Sequence, residues 1–180
     1  MGPLLTVLDA NVLIPAAPRD TLLRAAERGL FRPVWSDLIL AEVQRNLVSA
    51  AGLDNAQANR LIGVLRTAFP DALTAIDEQD LHKLVNAPED RHVLATAIAA
   101  GAVIIVTENL SDFPEAALAP YAIQSHSIDR FLYRLFELDP KGMAMVINEQ
   151  AEVLKNPPIT VEQLLDHLAG WAPTFVSAIR

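Results

Sequence analysis

Short apolar runs separated by longer amphipathic segments make up the first two thirds of the chain. Leu4 to Leu8, Phe31 to Trp35 and Ala102 to Val106 are predicted strands, because they are brief, largely apolar and bounded by turn residues or glycine. Asp71 to Ile76 is interpreted as one further strand. The run from Ala102 to Val106 has no polar residue, which is typical of a strand buried on both faces of a parallel sheet.

Segments with helical periodicity lie between these strands. Helices are predicted at 19–29, 37–52, 54–69 and 90–101, with a short helical stretch at 81–84. Ser36 and Asp54 are typical N-caps, and Gly29, Gly52 and Gly101 follow their helices as C-terminal glycines do.

This alternation predicts an α/β fold with three α/β/α layers around a central, mainly parallel sheet. From Ser127 onward the pattern is only helical, and Thr160 with Gln163 fits a capping box. We therefore predict an α/β domain over residues 1–138 and a C-terminal helical extension over residues 139–180 that packs on it. Five apolar residues of the extension are expected to be core contacts rather than a partner groove: Met143, Val146, Ile147, Val153 and Leu154.

The composition fits a soluble globular protein. With 180 residues, 52% hydrophobic and 20% charged, the chain can bury a sizeable core. The longest nearly uncharged run, Val93 to Thr107, is too short to cross a bilayer, and no cysteine is available for a disulfide. We expect a cytoplasmic protein with no membrane segment. The net charge of -8 argues against a broad basic surface for nucleic acid, although acids can bind phosphate through divalent cations.

Four acids fall where the predicted fold can bring them to one edge of the sheet. Asp9 directly follows the first strand, and Asp112 lies one short loop after the strand that ends at Val106. Ligand sites of open α/β sheets lie beyond these carboxyl ends. Glu42 lies on the flank of the apolar face of its helix, and Asp90 begins a helix whose free N–H groups favour a negative charge.

Each acid also has a purely structural interpretation. Asp9 can end a strand in a turn, Glu42 can be an exposed charge, and Asp90 and Asp112 can cap helices. As a set, however, four converging acids would raise one another's pKa unless a cation lay among them. Oxygen ligands select Mg²⁺ or Mn²⁺, which leave positions for water and phosphate oxygens, so the set predicts phosphodiester chemistry.

Three stretches of the sequence resemble a known family. Together, LDANVLIPA, FRPVWSDLILAEVQRNL and PEDRHVLATAIAAGAVIIVTENLSDFP resemble a PIN domain of the VapC type, the toxin of bacterial toxin–antitoxin pairs, and the resemblance extends to about Leu135. It implies a metal-dependent endoribonuclease with one or two Mg²⁺ or Mn²⁺ ions held by an acidic quartet: Asp9, Glu42, Asp90 and Asp112. It also implies four residues that orient the acids or the phosphate: Asn11, Ser36, Thr107 and Asn109.

The resemblance further implies an RNA substrate, a VapB-type antitoxin that covers the site, and a homodimer. Arg91 and His92 follow Asp90 at a helix start and are candidate contacts to the RNA backbone. Many VapC proteins end near the position of Glu137, whereas this chain continues to Arg180. The added helices resemble a C-terminal addition of one subgroup, and a role in antitoxin binding or dimer formation stays open.

Two other functions remain open at this stage. A Mg²⁺-dependent phosphatase can use Asp9 as its nucleophile, although such enzymes usually have a second acid two residues later, where this chain has Asn11. A catalytically inactive PIN-like binding module can keep the fold, but one would expect some of the acids to be replaced, and all four positions are filled.

The remaining polar and aromatic residues point to no other chemistry. The four histidines lack the spacing of metal ligands and are expected at the surface or in caps: His82, His92, His126 and His167. Four clustered arginines are expected mainly to pair with Asp20 and Glu27 rather than to form a basic face: Arg19, Arg24, Arg28 and Arg32. Phe31 and Trp35 are expected in the core, and no stacking platform for single-stranded RNA is visible.

Overall fold

Four parallel strands form the centre of the structure. The computed structural model describes residues 4–180, without the side chain of Asp80. The strands are β1 (Leu4–Leu8), β2 (Phe31–Val34), β3 (Ile104–Val106) and β4 (Gln124–His126). They pair in the order β2-β1-β3-β4, so β1 and β3 lie in the middle of the sheet.

The register of the two central strands aligns their carboxyl ends. Leu8 lies opposite Val106, and the N–H of Asp9 donates to the carbonyl of Val106 at 3.0 Å. On the next strand, the N–H of Thr107 donates to the carbonyl of His126 at 2.9 Å. The residues that directly follow β1 and β3 therefore emerge side by side at one edge of the sheet.

The described residues form ten α-helices: α1 (Ala10–Leu13), α2 (Ala16–Glu27), α3 (Asp37–Ser49), α4 (Asn55–Ala68), α5 (Arg91–Ala100), α6 (Glu115–Leu118), α7 (Ile128–Leu138), α8 (Pro140–Val153), α9 (Val161–Ala169) and α10 (Pro173–Ile179). As predicted, Ser36 caps α3, Asp54 caps α4, and Gly101 ends α5 with a φ of 66°. The predicted capping box of Thr160 and Gln163 opens α9. Across residues 4–180, no helix is long and apolar enough to span a membrane.

Helices cover both faces of the sheet. α5 packs across β1, β2 and β3 and also contacts α3. α2 packs on β2, α7 packs on β4, and α8 lies against both α2 and α7. Phe31 of β2 meets Phe131 of α7 edge to face, with ring centroids 5.0 Å apart. The predicted three-layer α/β/α arrangement is therefore confirmed.

One predicted strand is wrong, and one strand of the sheet is not predicted. The stretch 71–76 is not a strand, because Pro70–Ala72 forms a 3-10 turn and only Leu73 makes an isolated parallel bridge, with Trp35. Proline at the first position of a helical turn favours this outcome. The pattern also fails to predict β4, because the three residues Gln124–His126 are all polar and form no apolar run.

The C-terminal helices share one hydrophobic core with the α/β domain. α10 packs against α7, and α8 packs against α2. Met143, Val146 and Ile147 of α8 are buried, as predicted. Val153 and Leu154 are 53% and 40% exposed, so the prediction that they are core contacts is wrong. The reason is that α8 ends at Val153 and the chain leaves the core there.

A buried polar contact joins α8 to α2. Thr21 and Gln150 are both buried, and the Thr21 hydroxyl donates to Gln150 Oε1 at 2.7 Å. Gln150 Nε2 in turn donates to the carbonyl of Ala17 at 3.0 Å. At the surface beside this contact, Arg28 pairs with Glu149 of α8. The extension is therefore attached to the α/β domain by specific hydrogen bonds as well as by apolar packing.

The clustered arginines and one histidine depart in part from expectation. Arg24 pairs with Asp20 at 2.9 Å as predicted, whereas Arg28 finds its partner on α8. His126 is 1% exposed, so the expectation of a surface position is wrong for this residue. Burial, together with the nearby charges of Arg130 and Arg134, lowers the pKa of His126 to about 4. His126 is therefore neutral at physiological pH.

Replacement of Gln150 tests the buried contact. Gln150→Ala should lower the free energy of unfolding by roughly 1–3 kcal/mol, because it leaves buried polar groups of α2 without their partner. Glu149→Ala, at the neighbouring position where the side chain is 45% exposed, should lower it much less, since solvent-exposed ion pairs contribute little. Denaturant unfolding of both variants measures the two effects. Equal losses would contradict the role assigned to Gln150.

Candidate active site

Asp9 lies where β1 passes into α1. Its Oδ1 accepts a hydrogen bond from the N–H of Ala10 at 2.7 Å and so caps α1, in keeping with its turn interpretation. Its Oδ2 accepts two more, from the Thr107 hydroxyl at 2.7 Å and from Asn11 Nδ2 at 2.8 Å. Asp9 is only 2% exposed. Its carboxylate is therefore buried and fixed in orientation.

Asn11 and Thr107 join the loops that follow β1 and β3. Asn11 Nδ2 also donates to the Thr107 hydroxyl at 3.1 Å, and Asn11 Oδ1 accepts from the N–H of Glu108 at 3.1 Å. The Thr107 hydroxyl accepts from the N–H of Asn109 at 3.0 Å. Because a hydroxyl has one proton, these bonds direct the proton of Thr107 to Asp9. Asn109 contributes its main chain to this network, and the residue itself is exposed.

Glu42 reaches the site from α3 and His92 from α5. Glu42 Oε2 lies 3.1 Å from His92 Nε2, and the two side chains are 27% and 12% exposed. Burial opposes the protonation of His92, but the hydrogen bond and charge of Glu42, with the charge of Asp9, raise the pKa of His92 above its ordinary value. Glu42 is therefore not a solvated charge on the helix surface, and His92 is a partner of the acids.

Asp90 precedes α5, but its side chain makes no capping hydrogen bond. The residue is 7% exposed. Burial raises the pKa of its carboxyl to about 7, and the charges of Asp9, Asp112 and Glu42 contribute to the rise. Four acids from separate parts of the chain are therefore close enough to interact electrostatically at one carboxyl.

Asp112 ends a 3-10 turn formed by Leu110–Asp112 and is half-buried. Its carbonyl accepts from the N–H of Ala87 at 3.4 Å, which holds this loop beside the segment that precedes Asp90. The following helix, α6, has Pro114 as its N-cap and no side-chain cap. Asp90 therefore occupies the N-cap position of α5 without a side-chain capping bond, and Asp112 does not cap α6.

Asp9 is also harder to ionise than a free acid. Burial raises its pKa, against the hydrogen bonds from Thr107 and Ala10, and the charge of Glu42 adds to the rise. Asp9 and Asp90 thus share the same two causes, burial and neighbouring negative charge. A bound cation would remove the second cause and favour the ionised form of both carboxyls.

The donor set fits a hard divalent cation. The four acids offer only oxygen ligands, which Mg²⁺ and Mn²⁺ prefer. Within the described residues, no three His, Cys, Asp or Glu side chains are close enough to hold one ion. Mg²⁺ commonly takes one or two carboxylates and completes its shell with water and phosphate oxygens, so one or two of these acids would suffice as its direct ligands.

Three further residues lie around the acids. Ser36 is buried, and its hydroxyl accepts from the N–H of Ile39 at 3.4 Å, so it acts on the helix that carries Glu42. Arg91 Nε donates to the carbonyl of Asn86 at 3.4 Å. Sequence reasoning missed Asn86, which is buried and whose side-chain amide has no hydrogen-bond partner among the described residues. No sequence signal marks it, because it lies in the irregular segment between two 3-10 turns.

Asp90→Asn should stabilise the metal-free fold at neutral and higher pH. The pKa of Asp90 is about 7 in the folded protein and 3.8 in a free acid, so the folded state binds more protons between these values. The free energy of unfolding of the wild type therefore falls as the pH rises through this window. In EDTA at pH 8 we expect the variant to be more stable by roughly 1–4 kcal/mol, and the gain to vanish near pH 4.

Denaturant unfolding at pH 4, 6 and 8 measures this difference. Asp71→Asn changes an exposed acid outside the cluster and is the matched control, for which we expect no such trend. If Asp90→Asn were no more stable than the wild type at pH 8, the proposed repulsion among the acids would be refuted.

Two family models match this chain. The model described as PIN domain matches residues 6–111, and the model described as VapC50 C-terminal domain matches residues 128–180. The second match begins at the first residue of α7 and therefore covers α7 together with α8, α9 and α10.

Individual proteins show the same similarity. A protein of Mycobacterium tuberculosis (strain ATCC 25618 / H37Rv) named "Putative ribonuclease VapC50" is 37% identical over 118 residues, which cover 63% of this chain and 70% of the relative. The solved structure of VapBC-1 from nontypeable Haemophilus influenzae shares the fold over 69% of this chain and 98% of that chain, with a TM-score of 0.50 at 18% identity. The chain therefore belongs to the PIN-domain family and, within it, to the VapC type with a VapC50 C-terminal domain.

Proposed function

We propose that this protein is a Mg²⁺- or Mn²⁺-dependent endoribonuclease that hydrolyses phosphodiester bonds of RNA. The observation that carries the proposal is the convergence of Asp9, Glu42, Asp112 and Asp90, whose charges act together on the carboxyl of Asp90. Such a cluster lowers the stability of the free protein through charge repulsion. A bound cation would remove this repulsion, so the cluster is typical of a functional site. The name of the mycobacterial relative supports the same activity.

One or two of the four acids would bind the cation directly, and the charges of the others would help to attract it. When bound, Mg²⁺ or Mn²⁺ would lower the pKa of a water that attacks the phosphorus and would offset the charge of the phosphate. Asp9 presents a carboxylate whose orientation is set by Asn11 and Thr107, at 2.8 and 2.7 Å. Asn11 and Thr107 therefore position Asp9 as a metal ligand, as the sequence resemblance implies, and they need not touch the substrate.

His92 has a related role in this proposal. Its Nε2 lies 3.1 Å from Glu42, and its raised pKa favours the protonated form, which would hold Glu42 in place by charge and hydrogen bond. The sequence suggested Arg91 and His92 as contacts to the RNA backbone. Since the His92 side chain is 12% exposed and bonded to an acid, we assign the contact to Arg91 and the positioning of Glu42 to His92.

The geometry favours a nuclease over a phosphatase with Asp9 as its nucleophile. Both oxygens of the Asp9 carboxylate already accept hydrogen bonds, from Ala10, Asn11 and Thr107. These bonds reduce the nucleophilicity of the carboxylate and limit its approach to a phosphorus atom. Asn11, which stands where such phosphatases usually have a second acid, is occupied in bridging the two loops.

The partners in the proposal follow from the relatives. We infer that the chain is the toxin of a toxin–antitoxin pair, because the structure of VapBC-1 shares its fold, and that a VapB-type antitoxin covers the acids. A homodimer and a cytoplasmic location belong to the same proposal. The RNA target would be set by surfaces outside the four acids.

Cleavage of RNA tests the function. Asp9→Asn should abolish Mg²⁺- or Mn²⁺-dependent cleavage, since it removes a charged ligand while keeping the size of the side chain. Thr107→Val should lower the rate by roughly 10- to 100-fold, because it frees the Asp9 carboxylate from one positioning bond. Asp71→Asn, at an exposed site, should cleave as the wild type does.

The measurement is the digestion of total cellular RNA by purified protein free of antitoxin, with Mg²⁺, Mn²⁺ or EDTA, followed by sequencing of the fragment ends. Discrete cuts that disappear in EDTA and in Asp9→Asn are the expected result. Full activity of Asp9→Asn, or cleavage that EDTA leaves unchanged, would show that the acids are not the catalytic centre.

A further inference from the structure

A groove leads away from the four acids toward the C-terminal helices. It has a volume of about 590 Å³ and is lined by Asn11, Ile14, Arg19, Asn46, Ala50 and Trp171, among others. This volume lies within the range of ligand clefts, about 300–1,000 Å³. The groove combines residues of the PIN domain with one aromatic residue, Trp171, of the C-terminal domain.

One end of this groove is continuous with the candidate active site. Asn11 lines the groove and at the same time donates to Asp9 at 2.8 Å. Asn46 and Ala50 follow Glu42 at successive turns of α3, so they extend the same helix face away from the acids. From Glu42 to Ala50 the helix rises about 12 Å, at about 1.5 Å per residue. A strand that is cut at the acids can therefore continue into the groove.

Trp171 gives the groove a surface for stacking. The residue is 40% exposed, whereas the only other tryptophan, Trp35, is fully buried. The main-chain N–H of Trp171 donates to the carbonyl of Leu168 at 2.9 Å, which fixes the backbone just after α9. An aromatic ring held at a groove can stack on a nucleobase, and such contacts tolerate any base. The side-chain amides of Asn11 and Asn46 add polar groups that can bond to base edges.

The charge of the groove also fits a nucleic acid. Arg19 is the only charged residue that lines it, in a chain with a net charge of -8. Arg19 Nη1 donates to the carbonyls of Leu13 and Ile14, both at 2.9 Å, so the guanidinium is held at the groove wall. The residues that line the groove therefore include one positive charge and no negative charge. This favours the phosphates of a single-stranded RNA that extends from the acids into the groove.

We propose that this groove binds an unpaired nucleobase of the RNA next to the scissile phosphate, with Trp171 as the stacking residue. The proposal rests on the ribonuclease function proposed above and adds a substrate subsite to it. It assigns to the C-terminal domain a part in substrate binding. It also explains how a chain whose aromatic residues are scattered in sequence has a stacking position in the groove that Asn11 connects to the acids.

Cleavage kinetics with a short single-stranded RNA test the proposal. Trp171→Ala should raise KM roughly fivefold or more, with a smaller change in kcat, because base stacking is lost while the acids are untouched. Trp171→Phe keeps an aromatic face and should restore most of the affinity. Tyr121→Ala is the control, since Tyr121 is a similarly exposed aromatic residue that lies before β4, at the opposite edge of the sheet.

Fluorescence gives a second readout that does not require cleavage. In EDTA, titration with single-stranded RNA should quench the emission of Trp171, while the buried Trp35 serves as an internal reference. Trp171→Phe should lose this quenching and still bind the RNA. Circular dichroism and thermal unfolding of each variant verify that the fold is retained.

The outcomes separate this proposal from the function on which it rests. If the wild type cleaves RNA and Trp171→Ala cleaves it with the same KM and the same cut sites, the stacking proposal is wrong and the ribonuclease function stands. If the wild type cleaves nothing with either metal, the function itself fails. If Trp171→Ala leaves RNA binding unchanged but weakens binding of the antitoxin, the groove is a protein interface and the proposal is overturned.

Discussion

Parallel pairing between β1 and β3 is the contact on which the site depends. With Leu8 opposite Val106, the next residues on the two strands, Asp9 and Thr107, meet across the edge of the sheet at 2.7 Å. A register shift of one residue would turn the side chains to the opposite face and separate this pair. Packing of α5 on the same strands then brings in Asp90. The acid cluster is therefore a consequence of strand pairing rather than of any single loop.

Unbalanced charge is the second property that ties structure to function. The pKa of Asp90 is raised to about 7 because burial and three neighbouring acids oppose its ionisation, and the protein carries a net charge of -8. In a purely structural site such repulsion would only destabilise the folded protein. Because a divalent cation would relieve the repulsion, the acids would bind it more tightly. The bound cation would then attract the phosphates of RNA to an acidic protein.

Local signals predict much of this molecule, and long-range packing decides the rest. Ser36, Asp54 and Gly101 act through bonds and backbone angles within a few residues, so the sequence shows them directly. The meeting of Asp9 with the loop that follows β3 was predictable, because parallel strands align their carboxyl ends. By contrast, the burial of His126 and the position of Trp171 in the groove that Asn11 also lines depend on contacts between distant segments, which no local pattern records.

Titration of the Asp90 carboxyl by NMR, in metal-free protein and again with Mg²⁺, tests the central claim that the four acids act together to attract a divalent cation. We predict a pKa of about 7 without the metal and a value well below that with it, since a bound cation favours the ionised form. An ordinary pKa near 3.8 in metal-free protein would contradict the repulsion among the acids. A raised value that Mg²⁺ does not move would contradict their role as a cation site.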